Sequence, residues 1–168
     1  MKPTPTSNAA PSLVPRGLSS RIGYLLNRPA VMIRRQAQKI LEPLGIIPPH
    51  MGLISILRGE GPLTQRALGG HMKIDPTTMV WLIDALEKKG LVRRDAHPED
   101  RRAHLVKLTP AGEALFHRAA RQLDRLEQEF LSPLTKTEQE QLKRLLTKLF
   151  KSVRTHGIPK DMFGKSHD

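Results

Sequence analysis

Residues 75–90 carry a full set of helix start and stop signals, and the hydrophobic period changes directly after them. Asp75 can accept a hydrogen bond from the Thr78 amide as N-cap, and Pro76 stands at the first helical position, where an N–H is not needed. Met79, Leu82, Ile83 and Leu86 form one inward stripe. Lys88 and Lys89 suit the negative end of the helix dipole, and Gly90 supplies a left-handed cap. The spacing predicts a helix over 76–89, about 21 Å long at ~1.5 Å per residue. From Leu91 the period falls to two. Leu91-Val92-Arg93-Arg94 and His104-Leu105-Val106-Lys107-Leu108 read as strands around the turn Ala96-His97-Pro98-Glu99-Asp100. A two-stranded ribbon is not stable alone, so it must lean on the helices before it.

The rest of the chain reads as helix. Ile22, Leu26, Ala30, Ile33, Ala37, Ile40 and Leu44 make one apolar stripe, with Pro29 either kinking the helix or marking its start after Asn27. Pro48-Pro49 opens a short helix through Met51, Ile54 and Leu57, closed by Gly59 and Gly61. Another short helix follows, with Thr64 as its N-cap and Leu68 and Met72 facing inward. Two long helices close the chain. One carries Leu115, Ala119, Leu123, Leu126 and Phe130, and the other Leu142, Leu145, Leu146, Leu149 and Val153. Thr135-Lys136-Thr137-Glu138 is a capping box for the last. A Pro/Thr/Ser-rich tail over 1–18 and a Gly/Pro/Lys/His-rich tail over 158–168 are expected to be disordered, leaving one folded unit over 19–157.

Composition removes several function classes. The 168 residues hold no cysteine, which excludes disulfides, thiolate-bound metal and thiol nucleophiles. Seven histidines show no pair at helical ligand spacing, so no metal or cofactor is expected. Neither Gly-x-Ser-x-Gly, His-Glu-x-x-His nor a phosphate-binding glycine loop occurs, and no catalytic residue is assigned. Asp124, Glu127 and Glu129 share a helix with Arg121 and Arg125 and read as a solvated, ion-paired face. No run approaches ~18 apolar residues, so no membrane span is expected, and the cytoplasm is the default location. The formal charge of +12 calls for a polyanionic partner.

Helix, helix, capped helix and basic hairpin together give the order of a winged helix-turn-helix, a fold whose third helix fits the major groove of double-stranded DNA. The outward face of 76–89 offers Thr77, Thr78, Val80, Trp81, Asp84 and Lys88. From 88 to 107 seven Lys/Arg stand against three acids, an excess of +4. Arginines at the hairpin tip could enter an adjacent minor groove. The net charge alone would equally permit a non-specific architectural DNA-binding protein.

Three stretches carry a resemblance. They are Leu63-Thr64-Gln65-Arg66-Ala67-Leu68, Ile74-Asp75-Pro76-Thr77-Thr78-Met79-Val80 and Leu86-Glu87-Lys88-Lys89-Gly90-Leu91-Val92-Arg93-Arg94. With the wing string Asp95-Ala96-His97-Pro98-Glu99-Asp100-Arg101-Arg102-Ala103-His104, followed by Val106-Lys107-Leu108-Thr109-Pro110-Ala111-Gly112, they resemble the MarR family of bacterial regulators from about residue 20 to 155. The resemblance implies a mainly α fold of about six helices plus a two-stranded wing. It also implies an intertwined homodimer through N- and C-terminal helices. The winged core would lie at about 46–109 and the dimerisation helices at about 19–44 and 110–155. Such proteins mostly repress pseudo-palindromic operators and release them when a small, often phenolic, effector binds.

By position, the resemblance makes 76–89 the recognition helix, with Thr77, Thr78 and Trp81 as groove contacts. Thr64, Gln65, Lys88 and Arg94 would also lie at the DNA. Asp100 would hold the wing arginines, and Arg101 or Arg102 would enter the minor groove. Tyr24, Asn27 and His50 fall near the effector crevice. A cytoplasmic, nucleoid-associated regulator follows, with DNA, a second copy and an effector as partners. Gly69 and Gly70 depart from the family pattern, which favours helix formers there, at up to ~1 kcal/mol each relative to alanine.

Overall fold

The computed structural model describes residues 17–100 and 103–156, with side chains described through residue 153. The tails expected at 1–18 and 158–168 lie outside these residues except for Gly17 and Leu18, which form part of a turn. Among the described residues are six α-helices and three short strands: α1 Ile22–Leu41, α2 Pro48–Glu60, β1 Leu63–Thr64, α3 Gln65–Met72, α4 Pro76–Lys88, β2 Val92–Ala96, β3 His104–Leu108, α5 Pro110–Leu131 and α6 Lys136–His156. A 3₁₀ turn, Glu42–Leu44, separates α1 from α2. The chain divides into two compact units, one ending at Leu126 and one beginning at Glu127.

In the first unit α1 continues through Pro29, so the helix does not start after Asn27. Leu44 falls in the 3₁₀ turn rather than on α1, and Gly45 ends that turn in the left-handed region at φ 71°. Gly61 closes α2 and Gly90 follows α4, both at positive φ, as the sequence signals require. The Asp75 cap forms, accepting from the Thr78 N–H at 3.0 Å.

The wing is one strand richer than expected. The sheet order is β1-β3-β2, all antiparallel, with Leu63 opposite Val106. Two residues are too few to show a period, which is why Leu63 and Thr64 read only as a helix start. β2 also extends to Ala96, beyond the expected turn boundary, because Asp95 and Ala96 still pair with Leu105 and His104. Asp95 is held there by Lys107 at 2.9 Å and Arg93 at 3.3 Å.

The core of this unit joins Leu53, Ile54 and Leu57 of α2 to Leu68 of α3 and Met79, Leu82, Ile83 and Leu86 of α4. Val92 and Val106 seal it from the sheet side, and Leu41 and Ile46 from the α1–α2 junction. All four apolar positions of the α4 stripe are buried, which fixes the rotation of that helix and hence which side chains face out.

The second unit holds the end of α5 and all of α6. Its capping box forms as read: Glu138 Oε2 accepts from the Thr135 N–H at 2.8 Å, and Thr135 Oγ1 accepts from the Glu138 N–H at 3.4 Å. Gln139 Nε2 donates to the carbonyls of Leu131 and Leu134, tying the turn together.

Candidate nucleic-acid interface

The helix-turn-helix is held by short-range polar contacts. Thr64 Oγ1 accepts the Ala67 N–H at 3.2 Å, so its hydroxyl serves as the α3 cap. Gln65 Nε2 donates to the Pro76 carbonyl at 3.5 Å, joining the first turns of α3 and α4. Thr78 is bound twice by Asp75, through its N–H and through Oγ1–H at 2.6 Å. These two bonds hold the exposed Asp75 carboxyl below its ordinary range. With its proton committed to Asp75, the Thr78 hydroxyl offers outward only acceptor lone pairs. Thr77, Val80, Trp81, Asp84 and Lys88 are exposed beside it, over the buried stripe.

Arg94 is placed differently from a free DNA contact. From the root of the wing its guanidinium reaches Asp84 at 2.5 Å and Glu87, while Glu87 Oε1 also accepts the Arg94 N–H at 3.0 Å. One forked cation therefore bridges β2 to two carboxylates on α4. Burial would lower the arginine pKa, but its bonds to Asp84 and Glu87 raise it further, so it stays charged. Sequence reading placed Asp84 on the outer face but did not pair it. The usable signal is acids three apart on one helix edge, followed by an arginine entering the next strand.

Asp100 is exposed on the hairpin, and its carbonyl accepts the Ala103 N–H at 3.0 Å. Arg101 and Arg102 lie outside the described residues.

His50 is buried. Its Nδ1 accepts the Ile47 N–H at 3.4 Å, so the proton sits on Nε2, which has no hydrogen-bond partner among the described residues. The ring stacks on Trp81, with centroids 5.9 Å apart and planes inclined by 24°. Trp81 thus has one face on His50 while remaining 58% exposed. Tyr24 is half-buried on α1, and Asn27 is exposed inside that helix, so Asn27 is no cap. Among the described residues no hydrogen bond or ring contact joins Tyr24 or Asn27 to His50.

Burial, and secondarily the Lys89 charge, lower the His50 pKa from 6.5. The unfolded chain therefore takes up this proton first. The contribution to stability is complete above about pH 6.5 and is lost as pH falls through the lower folded value. Protonation would also fill Nδ1 and break the bond to Ile47. His50→Gln is expected to flatten the fall of Tm below pH 6.5 relative to wild type. Superimposable Tm–pH profiles would refute this.

Among the described residues no group of three His, Cys, Asp or Glu could hold a metal ion, and no single helix is long and apolar enough to cross a membrane.

The MarR family profile matches residues 47–104, the span from the start of α2 to the first residue of β3. An HTH-type transcriptional repressor of Mycobacterium bovis is 31% identical over 128 residues, covering 76% of this chain and 92% of that protein. The chain belongs to the MarR family. Among solved MarR-type structures, a mutant MarR from E.coli complexed with operator DNA superposes with a TM-score of 0.68 at 30% identity, covering 76% of this chain and 91% of that one. CouR from Rhodococcus jostii RHA1 bound to p-coumaroyl-CoA gives 0.72 at 27% identity, covering 87% and 100%. The mainly helical winged fold is thus shared along nearly the full length of these MarR-type proteins.

Proposed function

We propose that this protein is a homodimeric, sequence-specific regulator of double-stranded DNA, a repressor of pseudo-palindromic operators released by a small ligand. One observation carries the reading: α4 is fixed by a buried stripe on one side and presents Thr77, Thr78, Val80, Trp81, Asp84 and Lys88 on the other. A helix so presented fits a major groove. Thr77, Thr78 and Trp81 are assigned to the groove, Gln65 and Lys88 to the backbone, and Arg101 or Arg102 to the minor groove. Thr64 and Arg94 act by positioning, since their polar atoms are engaged within the protein. The operator complex of the E.coli MarR and the repressor name of the mycobacterial relative support the DNA and repressor parts.

A second copy of the chain is the partner. Ile22 and Met32 of α1, and Leu145, Leu149, Phe150 and Val153 of α6, are each more than half exposed in the single chain, which a soluble monomer would not favour. The winged core at about 46–109, flanked by dimerisation helices, is the corresponding domain reading, and the cytoplasm its location. The p-coumaroyl-CoA complex of CouR supports a small ligand as a partner. His50, with Tyr24 and Asn27, is the proposed ligand contact, its Nε2–H being a donor in want of an acceptor.

The test is selection from a randomised duplex pool at two salt concentrations. An enriched pseudo-palindrome with half-sites about one helical turn apart is expected. Binding that enriches nothing and vanishes with salt would replace this reading with a non-specific architectural one.

A further inference from the structure

The turn between α3 and α4 opens a cavity of about 640 Å³, walled in part by Gln65, Arg66, Gly70, Lys73, Ile74 and Pro76. Two of these residues carry a conformational cost that the fold does not require. Lys73 ends α3 at φ 55°, ψ 43°, the one non-glycine residue at positive φ among those described. Glycine or asparagine is the ordinary occupant of such a left-handed cap. Gly70 lies inside α3, where alanine is favoured, yet a β-carbon there would meet nothing within 4 Å. Its neighbour Gly69 is explained by packing, because a β-carbon would stand 3.2 Å from the Ile74 carbonyl oxygen. Gly70 has no such reason.

Both costly choices face the same cavity, and its two cations, Arg66 and Lys73, are exposed. Neither side-chain cation is in an ion pair or hydrogen bond among the described residues. Among the described residues no carboxylate lines the cavity, and the adjacent Asp75 is engaged by Thr78. Local rules broken together at one place, without a packing return, mark a functional position.

We infer that this cavity seats a backbone phosphate of duplex DNA, with the Arg66 guanidinium and Lys73 ammonium supplying the charge and the bare Gly70 backbone allowing close approach. The inference rests on the DNA-binding reading and adds to it a contact that positions the duplex without reading bases. Charge complementarity selects the occupant: two cations, no anion and an open floor beside the first turn of α4 suit one phosphodiester.

The decisive variant is Lys73→Gly, because strain and function pull in opposite directions. Wild type, Lys73→Gly and Arg66→Gln are titrated across a salt series with the selected duplex and with an unrelated one, and melted without DNA. For Lys73→Gly the Tm is expected to hold or rise, while the slope of log K against log salt falls by about 1 on both duplexes. Arg66→Gln should lower the slope in the same way. Unchanged slopes in both variants, with wild type still binding, overturn the phosphate site alone. A loss confined to the selected sequence also overturns it, since that would be base readout. A fall in the Lys73→Gly Tm overturns the strain argument. Failure of wild type to bind any duplex overturns the DNA-binding reading itself.

Discussion

Gly112→Ala is expected to be among the most destabilising single substitutions in this chain, although it adds only a methyl group. Gly112 is buried in the first turn of α5, and a β-carbon there would overlap the Leu91 carbonyl oxygen and stand 2.9 Å from Leu108 Cδ2. The carbonyl cannot easily retreat. It accepts the Thr109 N–H at 3.1 Å, and Thr109 Oγ1 donates to the Gly90 carbonyl at 2.6 Å while accepting the Gly112 N–H at 3.0 Å. The end of α4, the start of β2 and the cap of α5 are thus locked in one small ring of bonds. Overpacking a rigid core costs about 1–3 kcal/mol and occasionally more, and a backbone neighbour places this site at the upper end. Thermal unfolding checks it: a Tm within a degree or two of wild type would show that α5 can slide away from Leu91. Ala111→Gly, one residue earlier and exposed, should cost no more than about 1 kcal/mol and serves as the control.

Arg94→Ala is expected to weaken DNA binding at least about tenfold, or ~1.4 kcal/mol, on every sequence. The guanidinium holds the wing root to α4, and its removal frees Asp84 on the face proposed for the groove and Glu87 at its edge. Two freed carboxylates add repulsion from phosphate to the loss of wing position. Because Asp84 is 56% exposed at its side chain, the stability lost with the brace is modest, about 1 kcal/mol. Arg94→Lys should not rescue binding, since an ammonium is a point charge without a planar fork. A double-mutant cycle between Arg94→Ala and Glu87→Gln, read by Tm, separates brace from contact. Coupling in the free protein supports the brace. Additive Tm changes, with a salt slope lowered by about 1, would make Arg94 a direct phosphate contact instead.

Much of the candidate interface was legible because its signals are local. Asp75, Pro76 and Gly90 announce α4 within one helix length, and the 3.6-residue period alone puts Met79, Leu82, Ile83 and Leu86 inside and Thr77, Thr78 and Trp81 outside. The capping box at Thr135 is likewise a four-residue pattern that the fold realises. What sequence reading missed depends on pairs far apart in the chain. β1 exists only because Leu63 meets Val106, 43 positions later. Arg94 is paired within the protein only because strand β2 returns past Asp84 and Glu87.

His50 shows the same division within one side chain. The sequence places it next to a proline-started helix, where an imidazole could be wet or buried. Trp81, 31 positions away, supplies the ring that covers it, and Ile47 takes its Nδ1.

The sequence by itself therefore determined the order of the helices, the rotation of α4 and the family, because caps, periods and contiguous motifs are written within a few residues. Only the tertiary structure decided the third strand, the Arg94 brace, the burial of His50 and the strained Lys73 beside an open cavity. Each depends on which distant segments come within bonding distance, and separation in sequence carries no record of that.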